Sequence, residues 1–153
     1  IDGGSDVLEA VLDRARAGLA AEMLGSADEC FERTVQYLKD RKQFGVVIGS
    51  FQALKHRAAQ MFCELEVTRS AVLASLSGLD EGANDAAVLA SLAKTKANDT
   101  FFLVGNEGVQ MHGGIGMTDE HEIGFFTKRA RVALATFGTS AFHRDRYAAL
   151  NGY

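Results

Sequence analysis

The chain contains no proline and no tryptophan in its 153 residues, and only two cysteines. Proline is the chief breaker of helix interiors, so its absence permits helices of unusual length. Cys30 and Cys63 fit neither a C-x-x-C motif nor a metal-ligand spacing. They read as two reduced thiols of a cytoplasmic protein, each serving as a small core hydrophobe. His112, His121 and His143 have no mutual spacing that suggests a metal, so no metal site is expected and isolated polar roles are the default. No apolar run approaches the roughly 18 residues that a membrane span requires, and no signal-peptide pattern opens the chain. The formal net charge of −4 implies no general attraction to nucleic acid or to an anionic membrane.

What is present is helical periodicity. Val7, Leu8, Val11, Leu12, Ala15, Leu19, Met23, Ala27, Phe31, Val35 and Leu38 recur at helical spacing, which predicts a first helix from about Asp6 to Arg41. Asp6 is its expected cap. Gly18 and Gly25 inside it are read as close-packing positions. A second helix is predicted from Ser50, as cap, to Leu79, and a third from Asp85 to Met111 with Asn84 as cap. Thr118 suits the cap of a fourth helix over 119–134, with Asp119 and Glu120 in its first turn. A fifth runs from Gly138 or Thr139 to Leu150. No strand is convincing. Short connections force antiparallel neighbours. The fold class is therefore all-α, an antiparallel up-and-down bundle of three long and two shorter helices.

Taken residue by residue, the chemistry is sparse. Gly113-Gly114-Ile115-Gly116 lacks a preceding strand and the G-x-G-x-x-G spacing, so it is not a dinucleotide fingerprint. It is a helix stop with an irregular turn, or a place where a cofactor approaches backbone closely. Arg41 is a solvated helix terminus or a bidentate phosphate contact. Lys128, Arg129 and Arg131 read as a solvated face.

Three runs change that reading. They are Asp40-Arg41-Lys42-Gln43-Phe44-Gly45; Gln110-Met111-His112-Gly113-Gly114-Ile115-Gly116-Met117-Thr118-Asp119-Glu120-His121; and Phe126-Thr127-Lys128-Arg129-Ala130 leading to Phe137-Gly138-Thr139. In this order, with Phe51-Gln52 between the first two, the chain resembles the C-terminal helical domain of the acyl-CoA dehydrogenases over essentially its whole length. The Glu-His run followed by Lys-Arg-Ala is similar to a bacterial branch. The resemblance implies FAD held at a dimer interface, a homo- or hetero-oligomer built as a dimer of dimers, and an acyl-CoA substrate for the full assembly. It implies FAD contacts at Arg41 (pyrophosphate), Phe44 (adenine half), Gln52, Gln110, Gly113, Gly114 and Thr139.

The resemblance also exposes a missing group. Many members carry the catalytic glutamate just before a Gly-Thr pair, where this chain has Phe137. Others carry it on the first long helix, at the position of Ala15. Neither residue takes a proton. Arg16, beside Ala15, is the residue implied at the acyl-CoA. The family's N-terminal helical and β-domains are absent from residues 1–153, so the chain alone is expected to be inactive. The implied parent is the subunit of an acyl-CoA dehydrogenase that does not supply the base. A flavin-dependent monooxygenase of the same fold, which needs no such base, and a purely structural oligomerisation module are the alternatives.

Overall fold

With no proline to stop it, helix α1 runs unbroken over Gly4–Asp40 in the computed structural model, which describes residues 3–153. Helices α2 (Gln52–Glu81) and α3 (Ala86–His112) follow, then the shorter α4 (Ile123–Ala135) and α5 (Ser140–Leu150). The all-α bundle of three long and two shorter helices is the architecture the periodicity implies. Helix α3 is its axis and packs against each of the other four. The core joins Ala20, Met23, Ala27 and Cys30 of α1 to Met61 and Leu65 of α2, Ala97, Phe101 and Val104 of α3, and Ile123 and Ala133 of α4.

Close packing is achieved at Gly108. A Cβ there would lie 3.0 Å from Cys30 Sγ, 3.2 Å from Thr34 Oγ1 and 3.3 Å from Ile123 Cγ1, so α1, α3 and α4 converge on a position that admits no side chain. Gly18 and Gly25, the glycines read as packing positions, are exposed and would meet nothing. They are tolerated in α1 because its burial elsewhere outweighs a cost of up to ~1 kcal/mol each.

Further local expectations fail for identifiable reasons. A short antiparallel hairpin, β1 (Lys42–Gln43) with β2 (Val46–Val47), stands where no strand was expected. Ser50 and Thr118 do not cap helices. Their hydroxyls turn back to the carbonyls of Val47 and Ile115, at 2.7 Å each, and tighten the 3-10 turns Ile48–Ser50 and Gly113–Met117. The caps of α1 to α4 are Gly3, Phe51, Asp85 and Glu122, so Asp119 and Glu120 precede α4 rather than open it. Thr139 does cap α5, accepting from the Phe142 amide. Val7, Leu8 and Val11 face outward, as does Cys63, whereas Cys30 is buried. Among the described residues no helix is long and apolar enough to cross a membrane.

Candidate functional site

The candidate residues fall into two groups at different levels of the bundle. The first gathers where α1 ends. Tyr37 stacks on His112 with ring centroids 4.3 Å apart and donates its hydroxyl to the His112 carbonyl at 3.3 Å. This ties the end of α1 to the end of α3. Arg41 follows as the C-cap of α1, its amide bonded to the Tyr37 carbonyl. Its side chain is exposed, with no carboxylate paired to it among the described residues. Phe44 and Gly45 have φ of 54° and 81°, the two positive values of a type I′ hairpin turn. Glycine accepts this conformation freely. Phenylalanine there is a strained outlier, costing on the order of 1–3 kcal/mol. Its ring is 89% exposed at the hairpin tip and meets only the edge of Phe51. Gln52 opens α2, exposed. At the other end of the Tyr37–His112 tie, α3 stops at Gly113 (φ 65°), and a cleft of about 240 Å³ is lined by Val109, Gln110, Gly113, Gly114 and Met117.

His112 and His121 were expected to act singly, yet their rings lie 4.6 Å apart beside Tyr37. Burial, and secondarily the neighbouring His121, lowers the pKa of His112, whose Nδ1 is bonded to the Gly108 carbonyl at 2.7 Å. Lys128 and Arg129 are exposed but paired, with Asp119 and Glu22 respectively.

The second group surrounds the turn from α4 to α5. Phe137, just before Gly138-Thr139, has φ 59° and is 43% exposed. Arg16 lies in the same region, its guanidinium 5.7 Å from the Phe142 ring. It is buried, at 4% exposure, and donates to Asp13 at 2.8 Å and Glu9 at 3.0 Å. Arg146 of α5 donates to the same two carboxylates. The Arg16 hydrogen bond is the main reason that Glu9 titrates below the ordinary carboxyl range. The region of Ala15 and Arg16 and the Phe137–Thr139 turn are thus joined through α5. The first group is not: from Asn98, beneath this turn, to His112 is roughly 20 Å along α3 at ~1.5 Å per residue.

Comparison with known proteins fixes the family. The description "Acyl-CoA dehydrogenase, C-terminal domain" matches residues 2–150. The chain belongs to the acyl-CoA dehydrogenase family. It is 40% identical over 130 residues to acyl-CoA dehydrogenase IpdE2 of Mycolicibacterium smegmatis, covering 85% of this chain and 40% of that protein. Among solved structures, butyryl-CoA dehydrogenase from Megasphaera elsdenii superimposes with a TM-score of 0.92 at 29% identity, covering 96% of this chain and 38% of that one. A steroid ACAD, Tcur3481-Tcur3483, gives 0.90 at 32% identity, covering 94% and 40%. The chain therefore spans about two fifths of the length of these relatives.

Within that acyl-CoA dehydrogenase domain, Lys94, Asn98 and Ser91, which sequence reasoning missed, lie beneath the second group together with His143, whose expected isolated role gives way to a network. Lys94, Asn98, Ser91 and His143 are buried and hydrogen-bonded to one another or to the turn. A signal was present: Lys94 falls at helical spacing from Ala90, Ala97 and Phe101, in the middle of the apolar stripe of α3.

Proposed function

We propose that this chain is the FAD-contacting and oligomerisation domain of an acyl-CoA dehydrogenase in which the catalytic base is supplied from outside residues 1–153. The observation that carries the proposal is the pairing of a free guanidinium, Arg41, with a strained and solvent-presented aromatic, Phe44, on one small hairpin. A fork of charged donors on the same hairpin as a solvent-presented ring suits a phosphate next to an aromatic base. Gly113 and Gly114, open above their backbone, admit close approach on the facing side. The donor set fits a flavin dinucleotide.

When bound, the flavin accepts hydride from the β-carbon of an acyl thioester as a base takes the α-proton. Arg41 would hold the pyrophosphate, Phe44 would lie against the adenine half, and Gln52 and Gln110 would hydrogen-bond to the cofactor. Thr139 and the Phe137–Gly138 turn face a flavin at the other level of the bundle. The separation of roughly 20 Å supports contacts to two different flavins of an oligomer, of which a dimer of dimers is the natural form. Exposed Phe102, Phe125 and Met117 supply apolar surface for that assembly. Phe101, beside Phe102 in the chain, is buried in the core instead.

Phe137 and Ala15 cannot remove a proton. Asp13 and Glu9, the acids nearest Ala15 on α1, are both committed to Arg16 and Arg146. A carboxylate held by two guanidiniums is not free to reach substrate. The base therefore belongs to a partner subunit. The unpaired thiols suit a reducing, cytoplasmic setting.

The test is FAD content and acyl-CoA-dependent reduction of an electron acceptor by the parent, alone and with candidate partner subunits. The expected result is activity only with the partner, abolished by removing the partner's carboxylate. Full turnover by the homomer overturns the proposal. Reduced-flavin-dependent oxygen incorporation favours a monooxygenase of this fold instead.

A further inference from the structure

The turn between α4 and α5 rests on groups that are costly to bury. Lys94 is 0% exposed, and its three hydrogen bonds all go to neutral oxygens: Asn98 Oδ1 at 2.6 Å, the Ala133 carbonyl at 3.0 Å and the Gly138 carbonyl at 3.2 Å. Asn98 Nδ2 donates to the same Gly138 carbonyl at 3.3 Å. An ammonium taken out of water without a carboxylate is expensive, so its partners must be geometrically fixed.

His143 completes the arrangement, and the network assigns its tautomer. Arg146 donates to Ser91 Oγ at 2.8 Å, so the Ser91 hydroxyl proton is free for His143 Nδ1, 3.4 Å away. The imidazole proton then resides on Nε2 and is donated to the Phe137 carbonyl at 3.0 Å. Arg146 is itself held by Asp13 and Glu9, which also bind Arg16. A continuous chain of hydrogen bonds thus joins α1 to the backbone of the turn, with Arg146 donating both to the α1 carboxylates and to Ser91. Glycine is required above it, because a Cβ at Gly138 would lie 2.8 Å from His143 Nε2 and 2.5 Å from Phe142 Cδ1.

We propose that Lys94 and His143 are positioning residues that grip the Gly138 and Phe137 carbonyls, keep Phe137 in its left-handed conformation, and set where Thr139 is presented. The functional part of this rests on the reading above, in which Thr139 faces a flavin. Neither residue touches substrate or cofactor. Each acts through the backbone of the turn.

Three variants test it. His143→Leu removes the donor, Lys94→Met removes the cation, and His143→Gln keeps one acceptor and one donor on adjacent atoms. In the chain itself, amide exchange is followed at residues 142 and 143, whose N–H groups bond Thr139, and at α3 near Val104. His143→Leu and Lys94→Met should speed exchange at the turn by at least about tenfold relative to α3, a local opening rather than a global one. His143→Gln should stay within about twofold of the unmodified chain. In the flavin-loaded assembly, the first two should shift the flavin absorbance spectrum and hasten FAD release, and His143→Gln should not. Should Lys94→Met fail to fold, the His143 pair carries the test alone. Exchange that rises equally at the turn and in α3, or a glutamine variant that behaves like leucine, overturns the proposal. A loosened turn with an unchanged flavin spectrum upholds it and overturns the reading that Thr139 faces flavin.

Discussion

The two levels of the bundle solve opposite problems. At the hairpin level, groups are presented to solvent: Arg41 is exposed with no carboxylate paired to it among the described residues, and the Phe44 ring, met at its edge by Phe51, is in solvent. At the Phe137 level, nearly every polar group is answered from within, through Asp13, Arg16, Arg146, Ser91, His143, Asn98 and Lys94. Among the described residues, the buried side-chain atoms without a hydrogen bond are Arg16 Nε and Ser75 Oγ of α2. Strain is common to both, since each displays a phenylalanine at positive φ. An open group predicts a ligand from elsewhere, whereas a closed network predicts a shape that must be held. Substitutions should therefore divide the same way: stability lost at one level, binding lost at the other.

The largest effect on stability is expected from Asp13→Ala. It leaves two guanidiniums, Arg16 and Arg146, without their shared buried carboxylate, and one-sided removal of a buried pair costs about 3–5 kcal/mol. Urea unfolding of the chain measures it, and a loss near zero would erase the contrast between the levels.

Acid should strike the same level. Burial, and then the charges of Lys94, Arg16 and Arg146, push the His143 pKa down to about 4, while the Phe137 carbonyl acts in the other direction. The unfolded histidine binds a proton near pH 6.5, well before the folded one does. Stability is thus full above about pH 6.5 and falls as the pH drops toward 4, by roughly 3 kcal/mol from this residue. Lys94, lowered by burial to about 8, adds an alkaline limb of the same sense: stability rises as the pH climbs from 8 toward 10.5. Urea midpoints across this range check both limbs, and His143→Gln should flatten only the acid one.

Arg41→Ala should change the stability of the chain by less than about 0.5 kcal/mol. In the assembly it should weaken FAD retention by an amount worth about 1.5–3 kcal/mol, because a charge-assisted phosphate contact is lost. Flavin titration decides it, and unchanged affinity would remove the pyrophosphate role. Phe44→Asn should stabilise the chain by up to ~1 kcal/mol, since asparagine enters the left-handed region readily, while FAD binding declines. A variant that is both more stable and equally tight for flavin would show that the strain serves nothing. Phe137→Glu should have the smallest consequence, with no acyl-CoA turnover by the homomer. Its side chain is half exposed, so a carboxylate there is not forced to protonate, but being charged does not put it within the ~3 Å of a substrate proton that catalysis requires.

Much of this was readable in the residues. The absence of proline and the recurrence of apolar positions give five helices in the right order. The motif order Arg-Lys-x-Phe-Gly, Phe-Gln, Gln-x-x-Gly-Gly gives the family. Caps were misread because Ser50 and Thr118 have a choice of backbone partners, and sequence does not say which one wins. The hairpin was missed because Phe44-Gly45 lacks the asparagine that usually marks such a turn and its strands are two residues long. The Lys94 network was hidden by the rule that charges lie outside, which a functional or structural exception must break to be seen.

The two thiols give the molecule a built-in clock. Cys63 is on the surface and open to alkylating reagents. Cys30 is wedged beneath Gly108, its Sγ 3.7 Å from the Val104 carbonyl and its pKa pushed up to about 12 by burial. A reagent that needs a thiolate meets neither exposure nor ionisation there. Labelling at Cys63 marks time zero, and labelling at Cys30 records how often α1 and α3 part company.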